Sequence, residues 1–279
     1  MNRKKAINRS HILRLIIQIV FFIVLPSAFD SAFSAVKEAA EMISGGEELS
    51  FTPFARIFLF LIAFTIICGR MFCGYACAFG SLGDWIYNIS QFIQKKTNKK
   101  LPAIPEKYAQ SLQLVKYAVL ILIIVLCFLG FAGSLGQSSP WTVFSLIISG
   151  RLPGKELIVG IILLIAIVIG MALRPRFFCQ FLCPLGAIFS LLPILNSGRM
   201  RRDTSGCIKG CAICSRNCPV SLKLGEIDIR EGECIMCDEC AVGCPKGCIK
   251  AGPLSPGLKD DLRIVIEAAV LLVVLKFVI

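Results

Sequence analysis

The chain alternates long apolar runs with shorter polar connections, and this pattern is the first guide to its structure. A helix that crosses a bilayer needs about 20 mostly apolar residues. Because several runs approach this length with few charges inside them, they predict membrane-spanning helices. The four predicted spans are Ile12–Leu25 (extended by flanking residues), Phe54–Cys68, Leu114–Gly133 and Leu157–Leu173.

A fifth apolar run, Leu262–Ile279, is a weaker candidate because it carries Glu267 inside and Lys276 near its end. Such a segment either spans the membrane or lies along its surface as an amphipathic helix, and we favour spanning. Composition agrees with a membrane protein, since 56% of the 279 residues are hydrophobic and the mean hydropathy is +0.77. A soluble domain of this size is rarely so apolar.

Positive charge is distributed unevenly within a formal net charge of +12. Basic residues cluster at the N-terminus, after the second span and after the fourth span, whereas the segment from Phe29 to Phe51 is acidic. Because basic loops stay in the cytoplasm, we expect a multi-pass protein of the bacterial cytoplasmic (inner) membrane. Its N-terminus, retained as an anchor, and its C-terminal cysteine-rich segment lie inside. The basic excess then requires no nucleic-acid partner.

The connections after the second and fourth spans contain the same motif, R-x-F-C-x3-C-x2-G. The two copies are Arg70–Gly80 and Arg176–Gly186, with arginine, phenylalanine, both cysteines and glycine at identical offsets. Each copy follows an even-numbered span and is therefore expected at the cytoplasmic face. The repeat predicts two parallel helical hairpins, related by an axis along the membrane normal.

The two motif copies predict an additional redox or metal site made of Cys73, Cys77, Cys179 and Cys183. If the motifs are helical, cysteines four residues apart share one face. Two facing pairs then form a four-thiolate site, which suits an iron–sulfur cluster or another soft metal. A redox-active disulfide within each pair is the main alternative, and both hypotheses stay open.

Two cysteine runs dominate the C-terminal region of the chain. The second, Cys234-x2-Cys237-x2-Cys240-x3-Cys244-Pro245, matches the [4Fe–4S] run of bacterial two-cluster ferredoxins, in which the last cysteine ligates the other cluster. The first, Cys207-x3-Cys211-x2-Cys214-x3-Cys218-Pro219, is one residue longer. The predicted ligand sets are Cys207, Cys211, Cys214 and Cys244 for the first cluster, and Cys234, Cys237, Cys240 and Cys218 for the second.

Other chemistries explain these runs less well. Zinc sites mostly use two separated C-x2-C pairs, and a disulfide framework needs an oxidising compartment. The extra residue in the first run puts Cys207 in doubt as a ligand, and Cys248 is expected to be a small buried thiol. His11 is the only histidine, which excludes bis-histidine haem. Electrons must then move through iron–sulfur centres, thiols or a diffusible carrier such as a quinone.

The expected fold is an all-α membrane protein with four to five transmembrane helices, two parallel hairpin repeats and a small C-terminal two-cluster ferredoxin-like domain. Residues 1–197 form the transmembrane domain, 198–256 the cytoplasmic domain and 257–279 the C-terminal apolar helix. A domain as small as the second buries too little surface to be stable alone, so cluster binding is expected to stabilise it.

A quinone site is expected, but no motif locates it. Ionisable residues in or near spans are candidates by default, although snorkelling to the membrane surface is the favoured interpretation here. These residues are Arg14, Arg56, Asp84, Lys116, Glu156 and Glu267. Trp85 and Trp141 are interpreted as interface anchors. The stretch Pro140–Ile148 is a candidate for an outer-face helix that covers a quinone pocket.

Together, the spans, the paired C-x3-C motifs and the two ferredoxin runs resemble the NapH/NosR-type polytopic membrane ferredoxins, over roughly Ile12 to Lys250. Ala78 departs from the proline expected after Cys77. The resemblance implies an electron-transfer subunit, quinol-oxidising within a complex, between the quinone pool and a partner redox protein. It also leaves an alternative function open, in which the clusters reduce a metal or a disulfide during maturation of another enzyme. The family's paired cysteines fall on Cys73, Cys77, Cys179 and Cys183, and its cluster ligands fall on the two runs.

Overall fold

The computed structural model describes residues 3–45, 52–99, 101, 111–131, 139–195, 200–222, 229–230, 232–251 and 260–278, and most of them are helical. The helices are α1 (Arg3–Val24), α2 (Ala28–Gly45), α3 (Pro53–Cys68), α4 (Ala78–Thr97), α5 (Val115–Phe128), α6 (Pro140–Ile148), α7 (Ile158–Leu173), α8 (Phe177–Phe181), α9 (Pro184–Leu191), α10 (Ile213–Arg216), α11 (Glu239–Gly243) and α12 (Asp260–Val278). A π-helical turn covers Phe72–Ala76, and a 3₁₀ turn covers Lys155–Leu157. The strands are β1 (Met200–Arg202), β2 (Ile229–Arg230) and β3 (Ile249–Ala251).

Two helical segments of the described chain are long and apolar enough to cross a membrane, namely Ile7–Val24 and Lys155–Leu173. Two more predicted spans coincide with shorter apolar helices, α3 and α5. The end of the third predicted span, residues 132 and 133, lies outside the described residues. Two candidate spans are therefore present in the described residues, and the expectation of four to five spans stays a prediction.

The helices pack in a bundle with an aromatic centre. α2 lies on α3 and α5, while α4 and α6 both pack against α7. Phe29, Phe33 and Phe178 surround Trp141, with ring centroids 5.3 to 6.2 Å from it. Trp141 is only 9% exposed, so it is a core residue of this bundle rather than the interface anchor that was expected. The predicted helix Pro140–Ile148 is present as α6, and the Ser139 hydroxyl caps it by accepting from the Thr142 N–H.

The C-terminal helix α12 belongs to the same bundle. It packs on α3 and α1, and it buries Leu271 and Leu275 completely. Its outward side is apolar as well, with Val273 51% and Phe277 87% exposed. An interfacial helix would instead carry a charged face opposite its apolar one.

The cysteine-rich segment adds a small sheet that the all-helical expectation did not include. β1 is the central strand of the order β2-β1-β3, and both pairings are antiparallel. In the longer pairing Arg202 lies opposite Ile249, and Met200 lies opposite Ala251. This pairing brings the chain before the first cysteine run next to the chain after the second one. Several stretches of the expected 198–256 domain, residues 198–199, 223–228, 231 and 252–256, lie outside the described residues.

Candidate functional site

The first candidate centre is the four-thiol site, defined as Cys73, Cys77, Cys179 and Cys183. All four side chains are buried, with at most 9% of each exposed. The thiol of Cys183 interacts electrostatically with the other three, and the remaining pairs within the set also interact. The structure therefore brings the cysteines of the two motif copies into one buried region, and what they hold there stays a prediction.

The local structure of the motifs differs from a simple helix. In the first copy Cys73 lies in the π-helical turn, and in the second Cys179 lies in α8. The second cysteine of each copy is the N-cap residue of the next helix, Cys77 for α4 and Cys183 for α9. The expected shared helix face is therefore wrong, because the chain leaves one helical turn and starts another between the two cysteines. Ala78 and Pro184 both occupy the first helical position, where proline is favoured but not needed.

The N-cap position gives the second thiol of the second copy a hydrogen bond from the motif glycine. The Gly186 N–H donates to the Cys183 Sγ over 3.1 Å, whereas Cys77 caps α4 without a side-chain hydrogen bond. Burial nevertheless raises the pKa of the Cys77, Cys179 and Cys183 thiols. Thiols in such a place become thiolates only when a bound cation compensates their charge. The donor set thus fits a soft metal centre.

No group of three Cys, His, Asp or Glu side chains in the described ranges converges closely enough to share a single metal ion. An iron–sulfur cubane places its four thiolates at separate corners, so it does not require such convergence. None of the fifteen cysteines, all of them described, forms a disulfide.

A buried arginine from the second repeat binds the first repeat. The Arg176 guanidinium donates to the Asp84 carboxylate and to the carbonyl oxygens of Cys73 and Gly74. A Cβ at Gly80 would overlap the Arg176 Nη1 atom, which explains the glycine that ends the first motif copy.

The arginine of the first repeat makes the reciprocal contact. The Arg70 Nη2 atom lies 3.1 Å from the position that a Cβ would take at Gly186, the glycine that ends the second copy. Its guanidinium also interacts electrostatically with the Cys73 thiol, and Nη1 donates to the Gly232 carbonyl over 2.9 Å. The arginine and glycine of the motif are therefore partners between repeats. We call these two reciprocal contacts the arginine clasp.

The second candidate centre is formed by the second cysteine run. One cavity is lined by all four predicted ligands of the second cluster, Cys218, Cys234, Cys237 and Cys240. Met236 and Asp238 adopt left-handed backbone conformations between these cysteines, with φ of 52° and 57°. Alternation of right- and left-handed residues turns successive N–H groups to one side, a geometry found around many iron–sulfur sites.

The third candidate centre is only partly defined by contacts. The Cys244 Sγ accepts the Cys248 N–H over 3.4 Å, and the Gly247 N–H donates to the Cys244 carbonyl. Partial burial would raise the pKa of the Cys244 thiol, but the backbone N–H groups around it outweigh burial and lower that pKa. Cys207 lies near Cys248, which in turn contacts Cys244. The other two predicted ligands of this cluster, Cys211 and Cys214, follow on the same loop, and their role stays a prediction.

The four-thiol site and the second run are in direct contact. A Cβ at Gly74, inside the first motif copy, would overlap the Ile235 carbonyl oxygen and lie 3.5 Å from the Cys237 Cα. At the matching position of the second copy, the Gln180 amide donates to the Pro219 carbonyl, next to Cys218. Both motif copies therefore lie against the loops that carry the ligands of the second cluster.

Two ion-pair networks near the cysteine sites contain residues that the sequence analysis interpreted as snorkelling to the membrane surface. Arg14 joins Asp84 to Glu239 through bonds of 2.8 and 2.6 Å. Lys116 is fully buried and binds the Glu233 carboxylate, which also accepts from the Tyr117 hydroxyl over 2.9 Å. Their position near span ends was visible in the sequence, but the partners lie 70 to 225 residues away. For Arg14, Asp84 and Lys116 the expectation of snorkelling was wrong.

Comparison with known proteins adds an independent finding. The model of a family described as a 4Fe-4S binding domain matches residues 52–100 and 157–198, which contain the two motif copies. The chain is 31% identical to an uncharacterised protein of Methanocaldococcus jannaschii, MJ0749, over 91% of this chain and 92% of that protein. It is 28% identical to the putative electron transport protein YccM of Escherichia coli, covering 68% and 54% of the two chains. The regulatory protein NosR of Pseudomonas aeruginosa is 23% identical, over 66% and 25%. No solved structure matches.

Replacing Gly74 with alanine should disturb the contact between the four-thiol site and the second run. The new Cβ meets a backbone carbonyl that cannot rotate away, so we expect a loss of about 1–3 kcal/mol, as for other overpacked sites. Thermal unfolding of the purified protein measures this. Gly83→Ala is the control, because its Cβ would lie 3.6 Å from Met171 atoms, an ordinary contact. Equal unfolding midpoints for the two variants would contradict the tight approach.

Replacing Glu233 with glutamine should loosen the cysteine-rich segment from the bundle. Arg70 and Lys116 would lose their shared carboxylate, at a cost of roughly 2–4 kcal/mol, somewhat below that of a fully buried pair because Glu233 is 23% exposed. Limited proteolysis should then cut between Met200 and Ala251 faster than in the unmodified protein. The control is Glu156→Gln, which changes an exposed residue of the 3₁₀ turn. Unchanged cleavage in Glu233→Gln would show that the network does not hold the segment.

Proposed function

This chain belongs to the NapH/NosR-type ferredoxins, and from that premise we propose that it is a membrane-embedded iron–sulfur protein that carries electrons between the quinone pool and a partner redox protein. We propose ligand sets for three centres. They are the four-thiol site, the second-cluster set of Cys218, Cys234, Cys237 and Cys240, and the first-cluster set of Cys207, Cys211, Cys214 and Cys244. The proposed domains are a membrane domain of residues 1–197, a cytoplasmic domain of residues 198–256 and a C-terminal helix of residues 257–279.

The contact between two thiol sites is the observation that carries this proposal. Gly74 lets the loop of Cys237 approach the four-thiol site, and Gln180 binds beside Cys218. Iron–sulfur clusters bound by such thiolates carry one electron at a time. The protein then provides a short route between the membrane face and the cysteine-rich segment. Arg176 lies between the two sites, because it interacts with both Cys179 and Cys237.

The distribution of exposed apolar residues supports the membrane location. On α7, Ile162, Ile165 and Ile169 are 55 to 61% exposed, and α1 exposes Ile12, Ile16 and Ile23 by 53 to 72%. Soluble proteins rarely expose apolar surfaces this continuous, whereas lipid covers them at no cost. With α3, α5 and α12 packed in the same bundle, this supports five spans, with the N-terminus and the cysteine-rich segment in the cytoplasm.

A shared cluster explains the four-thiol site better than disulfides within each pair. Each thiol faces three others, and the matched 4Fe-4S binding domain covers both motif copies. The maturation hypothesis predicts that Cys73 and Cys77, and Cys179 and Cys183, cycle between thiol and disulfide or bind a metal other than iron. A disulfide within each pair would not require the two pairs to lie together, whereas a shared cluster does.

A cleft between α1, α4 and the cysteine loops supports the quinone as electron donor or acceptor. Its volume is about 800 Å³, within the range of ligand pockets, and its wall includes Cys218. Trp85 is one of the residues that line this cleft, and its buried Nε1–H has no hydrogen-bond partner among the described residues. A quinone carbonyl is an acceptor that fits this donor. Leu15, at the cleft edge, is 45% exposed on the apolar side of α1, where an isoprenoid tail can leave toward lipid.

Metal analysis tests the proposal directly. Anaerobically purified protein should contain about 12 Fe per chain, since each of three cubanes holds 4, and it should show reducible cluster signals in electron paramagnetic resonance. Cys179→Ala should lose about 4 of these and keep the remainder. Cys127→Ala, which changes a buried cysteine of α5 outside both motifs, should lose none. Zinc in place of iron would refute the proposal, and a full iron count in Cys179→Ala would refute the third cluster.

Quinol titration tests the cleft. Trp85→Phe keeps an aromatic six-membered ring but removes the N–H, and losing one hydrogen bond of about 1 kcal/mol should weaken apparent binding of a short-chain quinol about fivefold. The readout is reduction of the clusters in the full chain. Trp141→Phe is the matched control, since Trp141 lies in the aromatic core. If only Trp141→Phe weakened binding, the quinone site would instead lie beneath α6.

A further inference from the structure

The sheet brings a fifth thiol to the first candidate cluster. β1 and β3 are antiparallel, and beyond their last pair the Asp203 N–H donates to the Cys248 carbonyl over 2.7 Å. Cys207 follows β1 on the same side, four residues after Asp203. Cys248 therefore lies at the end of the sheet where the first cysteine run begins.

Local geometry places Cys248 beside two of the predicted ligands, Cys244 and Cys207. Its N–H donates to the Cys244 Sγ over 3.4 Å, and its own Sγ lies 3.4 Å from where a Cβ would stand on Gly206. The Cys248 thiol interacts electrostatically with both Cys244 and Cys207. Cys248 is 6% exposed, whereas Cys207 is only half-buried. With Cys211 and Cys214 following Cys207 on the same loop, the first candidate cluster has five candidate cysteines for its four corners.

The inserted residue in the first run explains why a fifth thiol is useful. Between Cys207 and Cys211 the chain makes a turn that ends at Gly210, with φ of 75°, and the Cys211 N–H donates to the Ile208 carbonyl over 3.2 Å. One extra residue in this turn moves Cys207 relative to the other cysteines of the run. A thiol that already lies beside Cys207 and Cys244 can occupy the same corner.

We propose that Cys248 is a ligand-competent thiol of the first cluster, which takes the corner of Cys207 when Cys207 does not hold it. This inference rests on the proposed function, because it requires that the first run binds a cluster. In the exchange, an Fe–S bond to the Cys248 sulfur forms while the bond to the Cys207 sulfur breaks. The proton of the Cys248 thiol passes to the released Cys207 thiolate, so charge is conserved and no oxidation state changes.

Three variants of the full chain test the exchange: Cys207→Ala, Cys248→Ala and the double variant. After anaerobic purification, both single variants should contain as much iron per chain as the unmodified protein. The double variant should lose about 4 Fe, the content of one cubane. Electron paramagnetic resonance of the reduced proteins should show an altered first-cluster signal in Cys207→Ala, because the new ligand arrives from a different loop.

The outcomes separate this inference from the proposed function. Iron loss from either single variant overturns the exchange, as does a double variant with a full iron count. Absence of iron from the unmodified protein would instead refute the proposed function itself. Circular dichroism of all three variants shows whether any loss of iron follows from misfolding, and Cys211→Ala, which leaves no neighbouring spare thiol in the proposal, should lose about 4 Fe.

Discussion

The arginine clasp is the contact on which the rest of this structure depends. Two guanidinium groups, both about 1% exposed, lie between the repeats, each against the other repeat's glycine. A buried charge is tolerated only where its hydrogen bonds and counter-charges are supplied. Arg176 meets this requirement with Asp84 and two carbonyl groups, and Arg70 meets it in part, with Glu233 and the Gly232 carbonyl. With both guanidinium groups in place, the two repeats are held together and the four thiols lie in one buried region.

The clasp also suits the chemistry of the site that it encloses. Four thiolates carry negative charge into a buried region where unpaired thiols stay protonated. Arg70 and Arg176 each interact electrostatically with a thiol of their own repeat, Cys73 and Cys179 respectively. Positive charge at this distance stabilises thiolates and the reduced form of anything that they bind. The residues that position the repeats therefore also set the electrostatics of the centre.

The repeat showed how much of this arrangement can be predicted from sequence. Matching offsets of arginine, cysteine and glycine indicated two equivalent elements, with a shared thiol site as one of two open hypotheses. The partners of these residues were hidden. Asp84 and Lys116 looked like ordinary span-end residues, since a linear pattern does not show a partner 92 or 117 residues away. Cys248 was interpreted as a bystander for the same reason, because only the β1–β3 pairing places it beside Cys207.

Differences between the two copies explain how a symmetric site is joined to an asymmetric domain. Asp84 and Ser190 occupy equivalent positions in the two copies. Asp84 lies fourteen residues after Arg70, and Ser190 lies fourteen residues after Arg176. Only the first copy therefore supplies an acid, and it neutralises Arg176 of the other repeat.

The missing acid of the second copy comes from the cysteine-rich segment. Glu233, directly before Cys234, lies 3.5 Å from Arg70 and binds Lys116, and Tyr117 links it to Ser190. Gly74 and Gln180, which also occupy equivalent positions, differ in the same way. Gly74 leaves room for the Ile235 carbonyl, whereas the Gln180 amide donates to the Pro219 carbonyl. Because Arg70 is neutralised only when the second cysteine run is docked, the clasp is complete only when the two candidate centres are in contact. The docking of the cysteine-rich segment is thus built into the electrostatics of the membrane-face site.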